Sequence, residues 1–469
     1  MTTTRSTTAT LALAAALALV PAASAVAAPA DPGITGPGAL STALEQAPAV
    51  GGTAPEVPAS GTAVPNDPEY KAVQWSLWDD PAGLGLPPAW ERATGAGQTI
   101  AIVDTGITAH PDLDANVLPG RDFISAVPHA RDGDGWDADP TDMGDYPDPA
   151  LCPGSPMPLT STWHGTHTAG IAAADGNNGI GVSGVAPDAK ILPVRAVGAC
   201  STGQISDVAA GIAWAVGAAV PGAPANPNPA SVVNLSLAVE GVCPPVLQSA
   251  ITEAVSRGVP VVVAAGNQGI DASRTTPANC AGVISVAATD IAGAGAPYSN
   301  FGAVTLAAPG GNAFSGIRGT LNAGAQGPAA ASYGDRNGTS MAAPAVSGTI
   351  ALLQQLAPGL GVEGVREALT STARTAPGGC PAGCGAGMID PVSALVRVQG
   401  GEPFAVDGAI GELHGRIGAS TGEPVSREIC GMSGSPCFQE FETGWIVWST
   451  TGGARWIDGP LPAQWWLIS

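Results

Sequence analysis

Basic residues are scarce in this chain: Lys and Arg number 17 against 38 Asp and Glu, a formal net charge of −21 over 469 residues. That balance repels nucleic acid and anionic membrane and leaves no basic patch for either to bind. Charged residues of any sign make up only 12% and Gly and Pro are abundant, but 45% hydrophobic content argues for a folded, turn-rich protein with disorder confined to linkers. Long apolar runs are also missing, apart from positions 10–20, which follow Arg5 and precede Ala25-Val26-Ala27. That run is shorter than the ~18–20 residues a spanning helix needs and has the layout of a secretory signal peptide, cleaved near residues 25–28.

Missing pieces exclude several chemistries. Gly179-Ile180-Gly181-Val182-Ser183-Gly184 fits the spacing of a dinucleotide loop, but it follows a helical stretch and precedes a strand, the reverse of the required order. His164 and His167 lack the Glu that a zinc protease places between its histidines. Ser340 lies in Gly-Thr-Ser-Met, so the Gly-x-Ser-x-Gly elbow of an esterase is absent.

What is present is an α/β pattern. Residues 29–65 are rich in Pro, Ala and Gly and read as a pro-segment or linker, with folded sequence from about 66. Apolar, β-branched runs at 98–103, 190–197, 231–237, 260–265 and 283–288 read as strands, alternating with helical stretches at 167–174, 205–216, 245–257 and 340–356. This alternation predicts a parallel β-sheet flanked by helices on both faces, with ligands at the carboxyl ends of its strands. Past residue 398 the alternation stops and Trp445, Trp448, Trp456, Trp465 and Trp466 crowd in, which divides the chain into 66–400 and a small module at 401–469. Export makes the eight cysteines read as four disulfides. Short separations favour Cys380–Cys384 and Cys430–Cys437 and leave Cys152, Cys200, Cys243 and Cys280 to pair among themselves.

Three motifs carry chemistry. The first strand ends in Asp104-Thr105-Gly106, His164-Gly165-Thr166-His167 begins a helix, and Gly338-Thr339-Ser340-Met341-Ala342-Ala343-Pro344 starts another. Singly, each has a bland explanation, since a strand-end Asp forms turns and a helix-start Ser caps. Together they supply a nucleophile, a base and an orienting carboxylate. In the order Asp, His, Ser they resemble the subtilase family of serine proteases over residues 66–398.

The resemblance implies a secreted endopeptidase acting on protein or peptide substrates; a monomer is expected, though nothing in the sequence fixes the oligomeric state. In it Ser340 attacks, His164 is base and then acid, Asp104 fixes the tautomer of His164, and His167 is structural. Ala264-Ala265-Gly266-Asn267 is similar to the family's oxyanion segment, with Asn267 as donor. Ser236-Leu237-Ala238 resembles the edge that pairs with substrate and walls the specificity pocket, Ala238 replacing the usual Gly; the opposite wall is expected near Thr275, where Pro277 matches a cis-proline. The family also implies calcium: Gly176, Asn178, Ile180 and Val182, with Gln74 and Asp112, match its high-affinity site. Asp132, Asp134, Asp137 and Asp139, in a segment long for the family, concentrate carboxylates that would repel without a cation, and read either as a second calcium site or as a solvated acidic loop. On this topology Cys152 is expected to pair with Cys200 and Cys243 with Cys280. Finally, 421–459 resembles one LGFP repeat, with Thr421-Gly422-Glu423-Pro424 in place of Leu-Gly-x-Pro, which implies a cell-envelope ligand for 401–469. Fewer than forty residues separate the signal from the folded part, less than the family's usual inhibitory pro-domain.

Overall fold

The computed structural model describes residues 64–78, 81–154, 160–430 and 436–459, all within one compact unit. The signal peptide, nearly all of the 29–65 segment, Trp465 and Trp466 lie outside the described residues.

The strands of the central sheet are short and almost wholly buried, as expected where helices cover both faces. They are β1 (Thr99–Asp104), β2 (Arg121–Asp122), β3 (Lys190–Arg195), β4 (Val232–Leu235), β5 (Val261–Ala264), β6 (Ile284–Thr289) and β7 (Leu306–Pro309), all parallel, in the order β2-β3-β1-β4-β5-β6-β7. Alternation along β1 sorts two cores: Ile100 and Ile102 join the helices His164–Ala173 and Thr339–Leu356, while Ala101 and Val103 join Ile205–Ala215 and Pro245–Ser256. Chain order reverses on either side of β1, the position at which open α/β sheets form a crevice. Asp104 ends that strand.

Expected and observed elements agree within a few residues at each end. β2, β7 and the antiparallel pair Ile317–Asn322 and Ala331–Arg336 were not legible in the pattern. β2 is too short to show alternation, and Leu-Ala-Ala-Pro in β7 lacks β-branched residues.

Four disulfides form, Cys152–Cys200, Cys243–Cys280, Cys380–Cys384 and Cys430–Cys437, each pairing as expected. At the C-terminal end, helix Gly408–Ile417 packs on a four-stranded antiparallel sheet running from Ile429–Cys430 to Gly453–Asp458. Its cores are small: Ile410, Phe441 and Ile446 on one side, Phe438, Trp445 and Val447 on the other. Arg427 reaches out of this region to Asp390 at the start of helix Pro391–Val398, a buried ion pair at 3.2 Å.

Candidate active site

β1 delivers Asp104 fully buried, where a carboxylate needs partners. It has them: Thr105 N–H donates to Oδ1 (2.8 Å), and His164 Nδ1 lies 2.7 and 2.9 Å from the two oxygens. His164 opens its helix directly after Trp163, a non-glycine residue at φ 52° whose indole N–H donates to the Gly324 carbonyl (2.8 Å). The next residue must be glycine, because a Cβ on Gly165 would come within 2.1 Å of the Gly106 carbonyl oxygen. Thr105 Oγ1 completes this joint, accepting from Gly165 N–H (2.9 Å) and donating to Asp142 (2.6 Å). Burial works against a charged His164, but the charge and hydrogen bond of Asp104 outweigh it and raise the imidazole pKa above its usual value. His167 is buried deeper and, with burial the main cause, is pushed down to about 3. It stays neutral and structural.

Ser340 is the second residue of helix Thr339–Leu356, so its backbone N–H belongs to the unsatisfied first turn. Pro344 has no N–H to give the Ser340 carbonyl four residues back. That carbonyl instead accepts from the Ser236 hydroxyl (2.8 Å), while Ser340 Oγ donates to the Ser236 carbonyl (3.1 Å). In this resting arrangement Ser340 and His164 are not hydrogen-bonded to each other, and catalytic contacts of this kind often tighten only on substrate. Asn267 follows β5. Its Oδ1 accepts from both Thr339 N–H (2.9 Å) and Thr339 Oγ1 (3.0 Å), which turns the Nδ2 donor the other way.

Leu237 and Ala238 wall an apolar cavity of about 400 Å³ together with Val197, Ile205, Val208 and Leu247. Thr276 and the cis Thr276–Pro277 bond close it opposite. Thr275, expected on that wall, does not line the cavity: it is fully buried, its hydroxyl accepting from Asn300 (2.8 Å) and its methyl set beside Gly266 behind Asn267.

The two loops read as calcium sites differ. Around Asp112 the structure gathers Gln74, Asn178 and Val182, but as hydrogen-bond partners. Asn178 Nδ2 (2.7 Å) and Val182 N–H (2.8 Å) donate to Asp112, and Asn178 Oδ1 is taken by Ile180 N–H (2.9 Å). Gln74 spends both amide atoms on the backbone of Ser183 (2.9 Å each). Asp67 braces the same loop from outside, accepting from the N–H groups of Asn177, Asn178 and Gly179. Side-chain oxygens of Gln74, Asp112 and Asn178 thus each accept from an N–H donor, and the calcium-ligand roles expected of them, with the carbonyls of Gly176, Ile180 and Val182, would require these bonds to give way to the ion. Burial, the largest influence, pushes Asp112 up to about 6.

In the other loop, Asp132, Asp134 and Asp137 bring one oxygen each within 4.8 Å of one another. Asp139 stands apart, its carboxylate accepting from the N–H (3.0 Å) and hydroxyl (2.5 Å) of Thr141. Arg195, buried at the end of β3, pairs with both Asp132 and Asp122 and ties this loop to the sheet. Here carboxylate oxygens converge, Asp132 also accepting from Asp134 N–H (3.4 Å) and Asp137 from Asp139 N–H (2.6 Å), and the remaining oxygens form a donor set that fits a hard cation completed by water.

The sequence profile described as the subtilase family matches residues 95–387. The chain belongs to the subtilase family. An LGFP repeat profile matches residues 421–466. Among its similar proteins are the extracellular protease of Xanthomonas campestris pv. campestris, 46% identical over 381 residues (80% of this chain, 65% of that one). The extracellular basic protease of Dichelobacter nodosus is 45% identical over 348 residues (72% and 57%), and subtilisin Savinase of Lederbergia lenta 35% identical over 305 residues (65% and 92%). The chain thus spans less than two thirds of the length of the first two relatives. The solved structure titled "Proteases from Pseudoalteromonas arctica PAMC 21717" superposes with a TM-score of 0.69 at 44% identity, covering 71% of this subtilase and 99% of that chain.

Asp142, Asp145 and Arg336 beside Asp104 and His164, and Asp67 at the 176–182 loop, were missed in the sequence. Their partners lie in segments whose approach no local spacing announces.

Proposed function

We propose that this subtilase is a secreted serine endopeptidase, the kind of protein its relatives named extracellular proteases are. The observation that carries this reading is the joint arrangement of a buried Asp104, an imidazole held at Nδ1, and a helix-start Ser340 across from an Asn267 whose carbonyl is pinned. Holding His164 at Nδ1 leaves Nε2 to take the Ser340 proton as Oγ attacks the scissile carbonyl, and to return it to the leaving amine. Asn267 Nδ2 and the Ser340 backbone N–H then donate to the oxyanion. The edge at Ser236, Leu237 and Ala238 pairs with substrate backbone, and the cavity beside it receives an apolar side chain.

Calcium belongs, on this reading, to the Asp132, Asp134 and Asp137 loop, where it would neutralise carboxylates that otherwise repel. Residues 66–400 form the peptidase region and 401–469 an envelope-binding module, with Trp448 and Trp456, half-buried, as the aromatic faces available to a ligand; Trp445 is in the core. Among the described residues no helix is long and apolar enough to cross a membrane. The test is mass spectrometry of casein peptides produced by wild type and by Ser340→Ala. Wild type should yield internal cuts and the variant almost none; near-normal cleavage by Ser340→Ala would sink the mechanism.

A further inference from the structure

Two short segments beside the catalytic pair hold non-glycine residues in the left-handed region. Trp163 (φ 52°) immediately precedes His164, and Cys200 and Ser201 (φ 66° and 48°) adjoin the apolar cavity, which Ser201 lines. Residues with a Cβ are strained there and persist only where neighbours over-determine them. One buried side chain serves both segments. Asp145 Oδ1 accepts from Thr162 N–H (2.5 Å), and Oδ2 accepts from the Thr162 hydroxyl (2.7 Å) and from the Ser201 hydroxyl. The Asp145 backbone carbonyl also takes Ser201 N–H (3.2 Å). On the far side, the Thr162 carbonyl accepts from the Arg336 guanidinium, at the end of the strand that leads to Ser340.

We propose that Asp145 is a positioning residue for hydrolysis, locking the lead-in to His164 onto the cavity wall so that side-chain recognition and proton transfer share one geometry. This rests on the peptidase reading above. Charge reaches His164 from three elements besides its own helix: Asp104 from β1, Asp145 from the long insertion between Asp104 and His164, and Arg336 from the strand Ala331–Arg336. His167, on the same helix, is neutral. After burial, which disfavours the imidazolium, Asp104 and Asp145 favour it and Arg336 opposes it.

The experiment measures kcat and KM of the full chain on a peptide substrate between about pH 5 and 9. Activity needs neutral His164, so Asp145→Asn should move the acid limb of kcat/KM to lower pH and Arg336→Gln should move it higher. Asp145→Asn should also lower the plateau of kcat/KM by roughly 10–100-fold through lost alignment. Thr162→Val and Ser201→Ala each remove one contact and keep the charge. The first should lower kcat with the limb unmoved, and the second should raise KM for substrates with a large apolar side chain. Acid limbs coinciding with wild type in both charge variants overturn the proposal, as do wild-type constants in both Thr162→Val and Ser201→Ala, which also decide the matter should Asp145→Asn not fold. A wild type without Ser340-dependent hydrolysis defeats the peptidase reading and this proposal together, whereas an active wild type with unmoved limbs defeats this proposal alone.

Discussion

The sheet-bearing region and the C-terminal region of this chain are built on different scales. In the first, two continuous cores sandwich seven parallel strands, and the polar groups of the site are held by partners far apart in sequence. In the second, two clusters of three or four fully buried side chains share four short strands, a disulfide and one helix. A core that small rarely stabilises a fold by itself. Its attachments supply the remainder: Arg427 pairs with Asp390, and Ser393 Oγ donates to the Pro403 carbonyl (3.4 Å). The contrast implies that chemistry resides in the large region while the small one depends on it for order.

The largest effect should come from Ser340→Ala, which ought to cost several orders of magnitude in peptide hydrolysis because triad members act as a unit. Thermal unfolding and sedimentation with purified cell envelope should be unchanged; a coupled loss of envelope binding would erase the division of labour. Asn267→Ala should lose less, roughly 10²–10³-fold in kcat, since one of two oxyanion donors is removed. Next is the seam. Arg427→Met removes the counter-charge of the buried Asp390, leaving its carboxylate only the Ser393 N–H (3.1 Å), which should cost on the order of 3 kcal/mol, as breaking buried pairs does. Calorimetry should show the C-terminal region melting first while casein turnover persists. A single unshifted transition would mean that the module stands without its anchor.

Cation removal is expected to be milder. Excess chelator should lower the unfolding temperature by mass action. Asp134→Asn with Asp137→Asn should abolish that sensitivity, and Asp112→Asn should leave it intact. If Asp112→Asn instead removes it, the hydrogen-bonded loop is the metal site after all.

The smallest effect concerns pH. Burial, ahead of its other influences, pushes Asp142 up to about 7 from the ordinary carboxyl value of 3.8. Between those values the native chain holds more protons than the unfolded one, so stability falls as pH rises from about 4 to 7. Unfolding temperatures of the Ser340→Ala protein across that window should decline, and Asp142→Asn should flatten the slope.

Much of this was legible in the sequence, for identifiable reasons. Strands buried on both faces announce themselves as apolar runs, and Asp104, His164 and Ser340 sit at element ends, where short motifs are diagnostic. The loop at 176–182 shows what residue types leave open: Asn178 can offer an oxygen to an ion or an N–H to Asp112, and in this structure it gives Asp112 the N–H. Thr275 was displaced for a related reason, its neighbour Thr276 being the one turned to the cavity. Asp145 was invisible because its worth comes from joining Thr162 and Ser201, which only the folded insertion brings together.

Pro344 has a consequence for motion. An ordinary residue there would spend its N–H inside the helix, and the Ser340 carbonyl would be tied only to its own helix. With proline, that carbonyl is fastened to Ser236, whose own carbonyl receives the Ser340 hydroxyl in return. On the proposed mechanism, the nucleophile and the ledge on which a substrate chain would lie are thereby doubly bolted. A peptide pressing on residues 236–238 cannot shift that ledge without carrying the attacking oxygen along, so the distance between reagent and target is insulated from the breathing of the surrounding loops.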